Sequence, residues 1–159
     1  FLADCKGAES VVIGDGRISL EQELSVGNPQ QFDVLFVDAF SGDSIPIHLL
    51  TKEAFELYLQ HLKPDGVLAF HITNLHLDIS DPIRNLAADF GYEAVPVEGY
   101  PEPGTKNIYY SHWVLLSRNK TFLSNLEANH YYSEWEREEP NDIRWTDDYS
   151  NLLEVIVEK

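Results

Sequence analysis

Short apolar runs alternate along the chain with stretches whose apolar residues recur every three or four positions. FDVLFVDAF (Phe32–Phe40) is unbroken in its apolar character from Val34 to Val37. Such a run predicts a strand covered on both faces, as in a parallel sheet. TKEAFELYLQHL (Thr51–Leu62) sets Ala54, Phe55, Tyr58, Leu59 and Leu62 on one helical face, with Thr51 as N-cap. KPDG (Lys63–Gly66) predicts a turn and VLAFHI (Val67–Ile72) the next strand. SVVIGD (Ser10–Asp15) reads as a brief strand and RISLEQEL (Arg17–Leu24) as a helix. DPIRNLAADFG (Asp81–Gly91) predicts a helix capped by Asp81, with Pro82 at its first position and Gly91 closing it. YEAVPVEG and IYYSHWVLLS are two further strands, and TDDYSNLLEVIVE ends the chain in a short helix.

Strand–helix alternation followed by two successive strands is an α/β order. In open α/β sheets, ligands bind at the carboxyl ends of strands. Asp15, Asp38 and His71 each stand at or just beyond such an end. Three polar groups from separate strands are therefore expected along one sheet edge.

Composition narrows the picture. A chain of 159 residues with three Trp, eight Tyr and eight Phe fits one domain with a real core. The single Cys5 excludes an internal disulfide framework and a cysteine-based zinc cluster. No signal peptide is visible, and no apolar run approaches the roughly 20 residues that cross a bilayer. A cytoplasmic location is the expectation for this stretch. Acids outnumber bases 27 to 11, for a net charge of −16, a field that repels a phosphate backbone and attracts polycations. Nucleic acid is therefore not an expected partner. The six histidines show no metal-ligand spacing, so no metal is expected. Glu134–Asp148 is acidic but carries Trp135 and Trp145, so residues 127–159 are expected to form an ordered acidic flap with a short terminal helix.

VVIGDGRISLE, FDVLFVDAFSGDSIPIHLL and LKPDGVLAFHI together resemble the spermidine synthase family of aminopropyltransferases. WTDDYSNLLEVI resembles bacterial spermidine-synthase-like proteins, some of them fused behind membrane helices. The resemblance runs from about Val11 to Leu116 and resumes at Trp145. It implies a class I methyltransferase-type, Rossmann-like, mostly parallel sheet flanked by helices. It also implies decarboxylated S-adenosylmethionine as cofactor and a cationic polyamine as acceptor. By resemblance Asp15 accepts a hydrogen bond from the adenine amino group, and the Gly16 N–H meets a ring nitrogen. Asp38 is implied as the proton acceptor and Asp43 as the amine anchor, with two more residues between them than in the family's DSSDP loop. Tyr100, in EGYPEPG, resembles the tyrosine of the TYPSG turn that positions the attacking amine. His71 falls where many synthases carry a glutamine that touches the amine.

The glycine-rich turn that such folds use for the amino-acid end of the cofactor is not found. The resemblance implies an incomplete domain over residues 1–159 whose first two strand–helix units lie upstream of Phe1. A fragment of that kind is expected to be inactive alone. Its Val34–Val37 strand would have one bare edge, so pairing into a homodimer, or capture of the edge by Ser10–Ile13, is expected. Two other functions fit the same residues: methyl transfer from S-adenosylmethionine, or a non-catalytic binding domain that retains the fold.

Overall fold

The computed structural model describes residues 6–39 and 46–157; Asp43 lies outside them. Strands β1 (Phe32–Val37), β2 (Leu62–His71), β3 (Glu93–Gly99) and β4 (Ser111–Ser117) form one sheet in the order β1-β2-β4-β3. β1 and β2 pair in parallel, and β4 runs antiparallel between β2 and β3. Three strands thus point the same way and one is reversed. The carboxyl ends of β1, β2 and β3 and the start of β4 therefore share one edge. Helices α1 (Gly16–Ser25), α2 (Lys52–His61), α3 (Ser80–Asp89) and α4 (Lys120–Ala128) accompany the sheet, giving the expected mixed α/β class.

Strand alternation divides the side chains between two faces. Leu35 and Val37 of β1, Leu68 and Phe70 of β2, and Val114 and Leu116 of β4 share the face that carries the core. Against it pack Phe55 and Tyr58 of α2 and Ile83 and Leu86 of α3, with Phe55 stacked on Phe70. The helical face read from the sequence is the buried one. The opposite face carries Val34, Phe36, Ala69, His71 and Trp113. Val34 and Phe36 are exposed there, so β1 is covered on one face and not on both.

Three local expectations are corrected. Ser10–Asp15 forms no strand, and Val11, Val12 and Ile13 are exposed. An apolar triplet without a ladder partner has nothing to hold it extended. Capture of the β1 edge by this segment therefore does not occur. Lys63–Gly66 is not a turn between elements but a bulge within β2: Phe32 pairs with Leu62, and Val34 already with Val67. A Cβ at Gly66 would lie 3.0 Å from the Lys63 carbonyl and 3.1 Å from that of Phe32, which explains the glycine. Asp81 does not cap α3. It is buried within the first turn, accepting from Arg137 and from the backbone and side-chain nitrogens of Asn141. Gly91 closes α3 as expected, at φ +68°.

Residues 141–157 return across the helices. Trp145 is fully buried, its carbonyl accepts from Lys52 N–H, and Asn85 donates to the carbonyls of Asn141 and Ile143. The expected terminal helix is a single 3-10 turn, Leu152–Val155. α1 contributes only the partly buried Leu20 to the core and is held largely by polar ties. Arg17 forms a bidentate pair with Asp147 at 2.7 and 2.5 Å and also donates to the His48 carbonyl and to Thr51. His61, fully buried, accepts from Gln30 N–H at Nδ1 and donates from Nε2 to the Leu20 carbonyl.

The Arg17 hydrogen bonds hold the Asp147 carboxyl down at about 2, against an ordinary 3.8. A depressed carboxyl stabilises the fold above its ordinary value, and that contribution is lost as pH falls from about 4 to about 2. Asp147 is 42 % exposed, so solvent screening leaves a contribution of about 1 kcal/mol. Urea midpoints of wild type and Asp147→Asn are expected to converge across this window. Parallel acid limbs would show that the pair contributes nothing.

Candidate functional site

Asp38 follows β1 directly and His71 ends β2; the parallel register Val37 to Phe70 sets them side by side. His71 Nδ1 lies 2.7 Å from Asp38 Oδ1 and its Nε2 lies 2.7 Å from Thr73 Oγ1. Thr73 Oγ1 in turn accepts the His112 backbone N–H at 2.7 Å. The imidazole lies on the Trp113 indole, centroids 4.5 Å apart and planes 17° from parallel. Phe36 meets the same indole edge-on at 5.8 Å. His71 and Trp113 are direct partners across the β2–β4 ladder, so the sheet itself places this stack. The Asp38 side chain is 53 % exposed and that of His71 21 %, which leaves a reachable carboxylate beside a sheltered ring.

The same edge continues to β3. Glu98 pairs across the ladder with His112 and accepts hydrogen bonds from the hydroxyls of Tyr100 and Tyr110. These bonds, Tyr110's first, hold the Glu98 carboxyl below its ordinary value. The same carboxylate raises the Tyr100 phenol, and burial together with Glu98 raises that of Tyr110. Beside them opens a cavity of about 240 Å³ lined in part by Thr73, Glu98, Tyr110, His112 and Trp135. Arg84 stacks over Trp135 at 4.3 Å, and Asp81 is paired with Arg137. The lining sets the acids Asp78, Asp81, Glu98, Glu134 and Glu136 against Arg84 and Arg137, which leaves it net anionic. A carboxylate beside aromatic rings is suited to an alkylammonium group.

Asp15 and Gly16 stand apart from this group, at the start of α1. Asp15 caps the helix, accepting from Ile18 N–H at 3.0 Å, and its second oxygen lies 2.8 Å from His48 Nε2. Both hydrogen bonds help hold its carboxyl below the ordinary range. A Cβ on Gly16 would meet nothing within 4 Å, so the approach to this backbone is open. An adenine amino group there would share the carboxylate with His48. Of the residues singled out from the sequence, the structure brings Asp38 and His71 together and sets Tyr100 farther along the same edge. It adds Thr73, Trp113, Glu98 and Tyr110, which were not anticipated. Glu98 stands two residues before Tyr100 and Thr73 two after His71, a same-side spacing that marks both. Among the described residues, no three His, Cys, Asp or Glu side chains are grouped to hold a metal ion. No described helix is long and apolar enough to cross a membrane.

No protein-family model matches the chain. Over 88 residues, 54 % of its length, it is 32 % identical to a polyamine aminopropyltransferase of Vibrio vulnificus (strain CMCP6). It spans only 29 % of that protein's length. A crystal structure of spermidine synthase from Thermotoga maritima overlays 82 % of the chain and 43 % of its own, at TM-score 0.47 and 17 % identity. Along the matched stretch the chain is similar to a polyamine aminopropyltransferase.

Replacing Glu98 by Gln removes the charge that holds both phenols protonated. Tyr100 is then expected to titrate nearer the ordinary 10.0. Tyrosinate absorbance should rise at lower pH in Glu98→Gln than in wild type. Superimposable alkaline titrations would show that Glu98 does not hold the tyrosines.

Proposed function

We propose that this chain carries the amine-handling edge of a spermidine-synthase-like aminopropyltransferase. The reaction is transfer of an aminopropyl group from decarboxylated S-adenosylmethionine to a polyamine. The observation that carries the reading is Asp38, a reachable carboxylate fixed by His71 at the carboxyl end of adjacent parallel strands. The likeness to a polyamine aminopropyltransferase supports it.

The chemistry needs such a group. An alkylamine is protonated at neutral pH and has no free electron pair for attack. Asp38 pairs with the ammonium and then takes a proton from it: the N–H bond breaks, the electron pair stays on nitrogen, and an O–H bond forms on Asp38. The freed pair attacks the carbon beside the sulfonium in line. A C–N bond forms as the C–S bond breaks, and sulfur leaves with the bonding electrons as a neutral thioether. Holding nitrogen and carbon in that line is worth as much as the proton transfer. Tyr100 is assigned to positioning the amine, and Asp43 to anchoring its charge. Glu98, kept anionic by its tyrosines, suits a distal ammonium of a longer amine. The net charge of −16 favours approach of a polycation over that of an anion. Asp15 and Gly16 are assigned to the adenine of the cofactor.

Because the chain spans 29 % of the aminopropyltransferase it matches, the test belongs on the whole protein, and the 159-residue chain alone is expected to be inactive. With butane-1,4-diamine and decarboxylated S-adenosylmethionine, Asp38→Asn should lower kcat about a hundredfold or more and leave cofactor affinity unchanged. Equal losses in turnover and cofactor affinity would make Asp38 structural. Methyl transfer from S-adenosylmethionine in place of aminopropyl transfer would move the reading to a methyltransferase.

A further inference from the structure

We propose that His71 is a positioning residue that works through Asp38. The Asp38 carboxylate sets its Nδ1–H tautomer, and Thr73, anchored by the His112 backbone N–H, donates to Nε2. The inference rests on the reading of Asp38 as proton acceptor and adds a named partner to it.

A separation of 2.7 Å between Asp38 Oδ1 and His71 Nδ1 places a proton between the two atoms. An ionised carboxylate has only acceptors, so Nδ1 carries the hydrogen. In a neutral ring Nε2 is then an acceptor, and the group 2.7 Å away must donate to it. That group is the Thr73 hydroxyl. Its oxygen already receives the His112 backbone N–H, a donor that cannot reverse its direction. Because the Asp38 carboxylate can only accept, the polarity runs from β4 backbone to Thr73, to His71, to Asp38. Stacking on Trp113 fixes the plane of the ring that passes it on.

This tautomer is the opposite of the Nε2–H form that a free neutral histidine favours in water. It is also the opposite of His61, whose Nδ1 accepts from Gln30 N–H while Nε2 donates to the Leu20 carbonyl. One molecule thus contains both forms, that of His61 set by backbone groups and that of His71 by the Asp38 carboxylate. Donation to Oδ1 stops the half-exposed Asp38 carboxylate from rotating and leaves its second oxygen to receive the amine proton. The ring keeps its own proton throughout; no proton passes through it.

Long-range proton–nitrogen spectra of the 159-residue chain, at roughly pH 8.5 where ordinary histidines are neutral, read the tautomers directly. His71 is expected as Nδ1–H and His61, in the same spectrum, as Nε2–H. Thr73→Ser should keep the Nδ1–H form, and Asp38→Ala should turn His71 to Nε2–H. A wild-type His71 in the Nε2–H form overturns the proposal, as does an Asp38→Ala ring that does not change. If Asp38→Ala fails to fold, shown by loss of the His61 signal, the wild-type and Thr73→Ser spectra decide alone. In the whole protein, Asn at position 71 places an amide N–H where Nδ1 stands, whereas Gln reaches the Nε2 position. His71→Asn should therefore retain kcat about tenfold better than His71→Gln. The reverse order would mean that residue 71 touches the amine itself. Absence of aminopropyl transfer in the wild-type protein would instead remove the role of Asp38 and leave the tautomer result standing.

Discussion

The hydrogen-bond ladders on both sides of β2 set the heights of Asp38, His71 and Trp113 relative to one another. β1 supplies the carboxylate one residue beyond Val37, β2 supplies the imidazole one residue beyond Phe70, and β4 supplies the indole opposite it. A slip of one residue in either ladder would turn His71 toward the core face and separate the pair. The register is held by burial: Leu68, Ala69 and Phe70 are at most 1 % exposed. The reversal of β4 between β2 and β3 then brings His112 and Tyr110 to the same edge as Glu98. The site is thus built largely from strand ends, and apolar packing behind them provides its rigidity.

The polar ties farther from this edge serve a different purpose. α1 has no fully buried residue and packs on the core chiefly through the partly buried Leu20, so polar ties carry much of its docking. Arg17 joins it to His48, Thr51 and Asp147, so one guanidinium links the start of α1, the approach to α2 and the returning terminal segment. Asp81 plays the corresponding part at α3, where a buried carboxylate receives Arg137 and Asn141. Both ties involve acids that sequence reading assigns to surface charge or to caps. A portion of the −16 net charge is therefore structural.

Periodicity exposed the helices well, because the face carrying Ala54, Phe55 and Tyr58 is buried as a unit. Strand runs were legible where a ladder partner exists and failed at Val11–Ile13, where none does. Whether a strand is covered on one face or two was not legible from Val34–Val37, since all four residues are apolar and only two pack on the core. The cap expected at Asp81 failed for a related reason: its partners lie 56 and 60 residues away. At the site, residue types pointed to Asp38 and His71 separately. Their pairing could not be read locally because it depends on the parallel register between β1 and β2. Thr73 was missed because its role appears only once His112 of β4 lies beside it.

The proposed function requires that a cationic amine be received at the Asp38–His71 edge. Titrating butane-1,4-diamine into the isotope-labelled chain, at an ionic strength that screens diffuse attraction, tests it most directly. Saturable shifts are expected in the His71 ring, Thr73 and the Trp113 indole, absent with butane-1,4-diol and lost in Asp38→Asn. Shifts scattered over the acidic surface, or an unchanged response in Asp38→Asn, would contradict it.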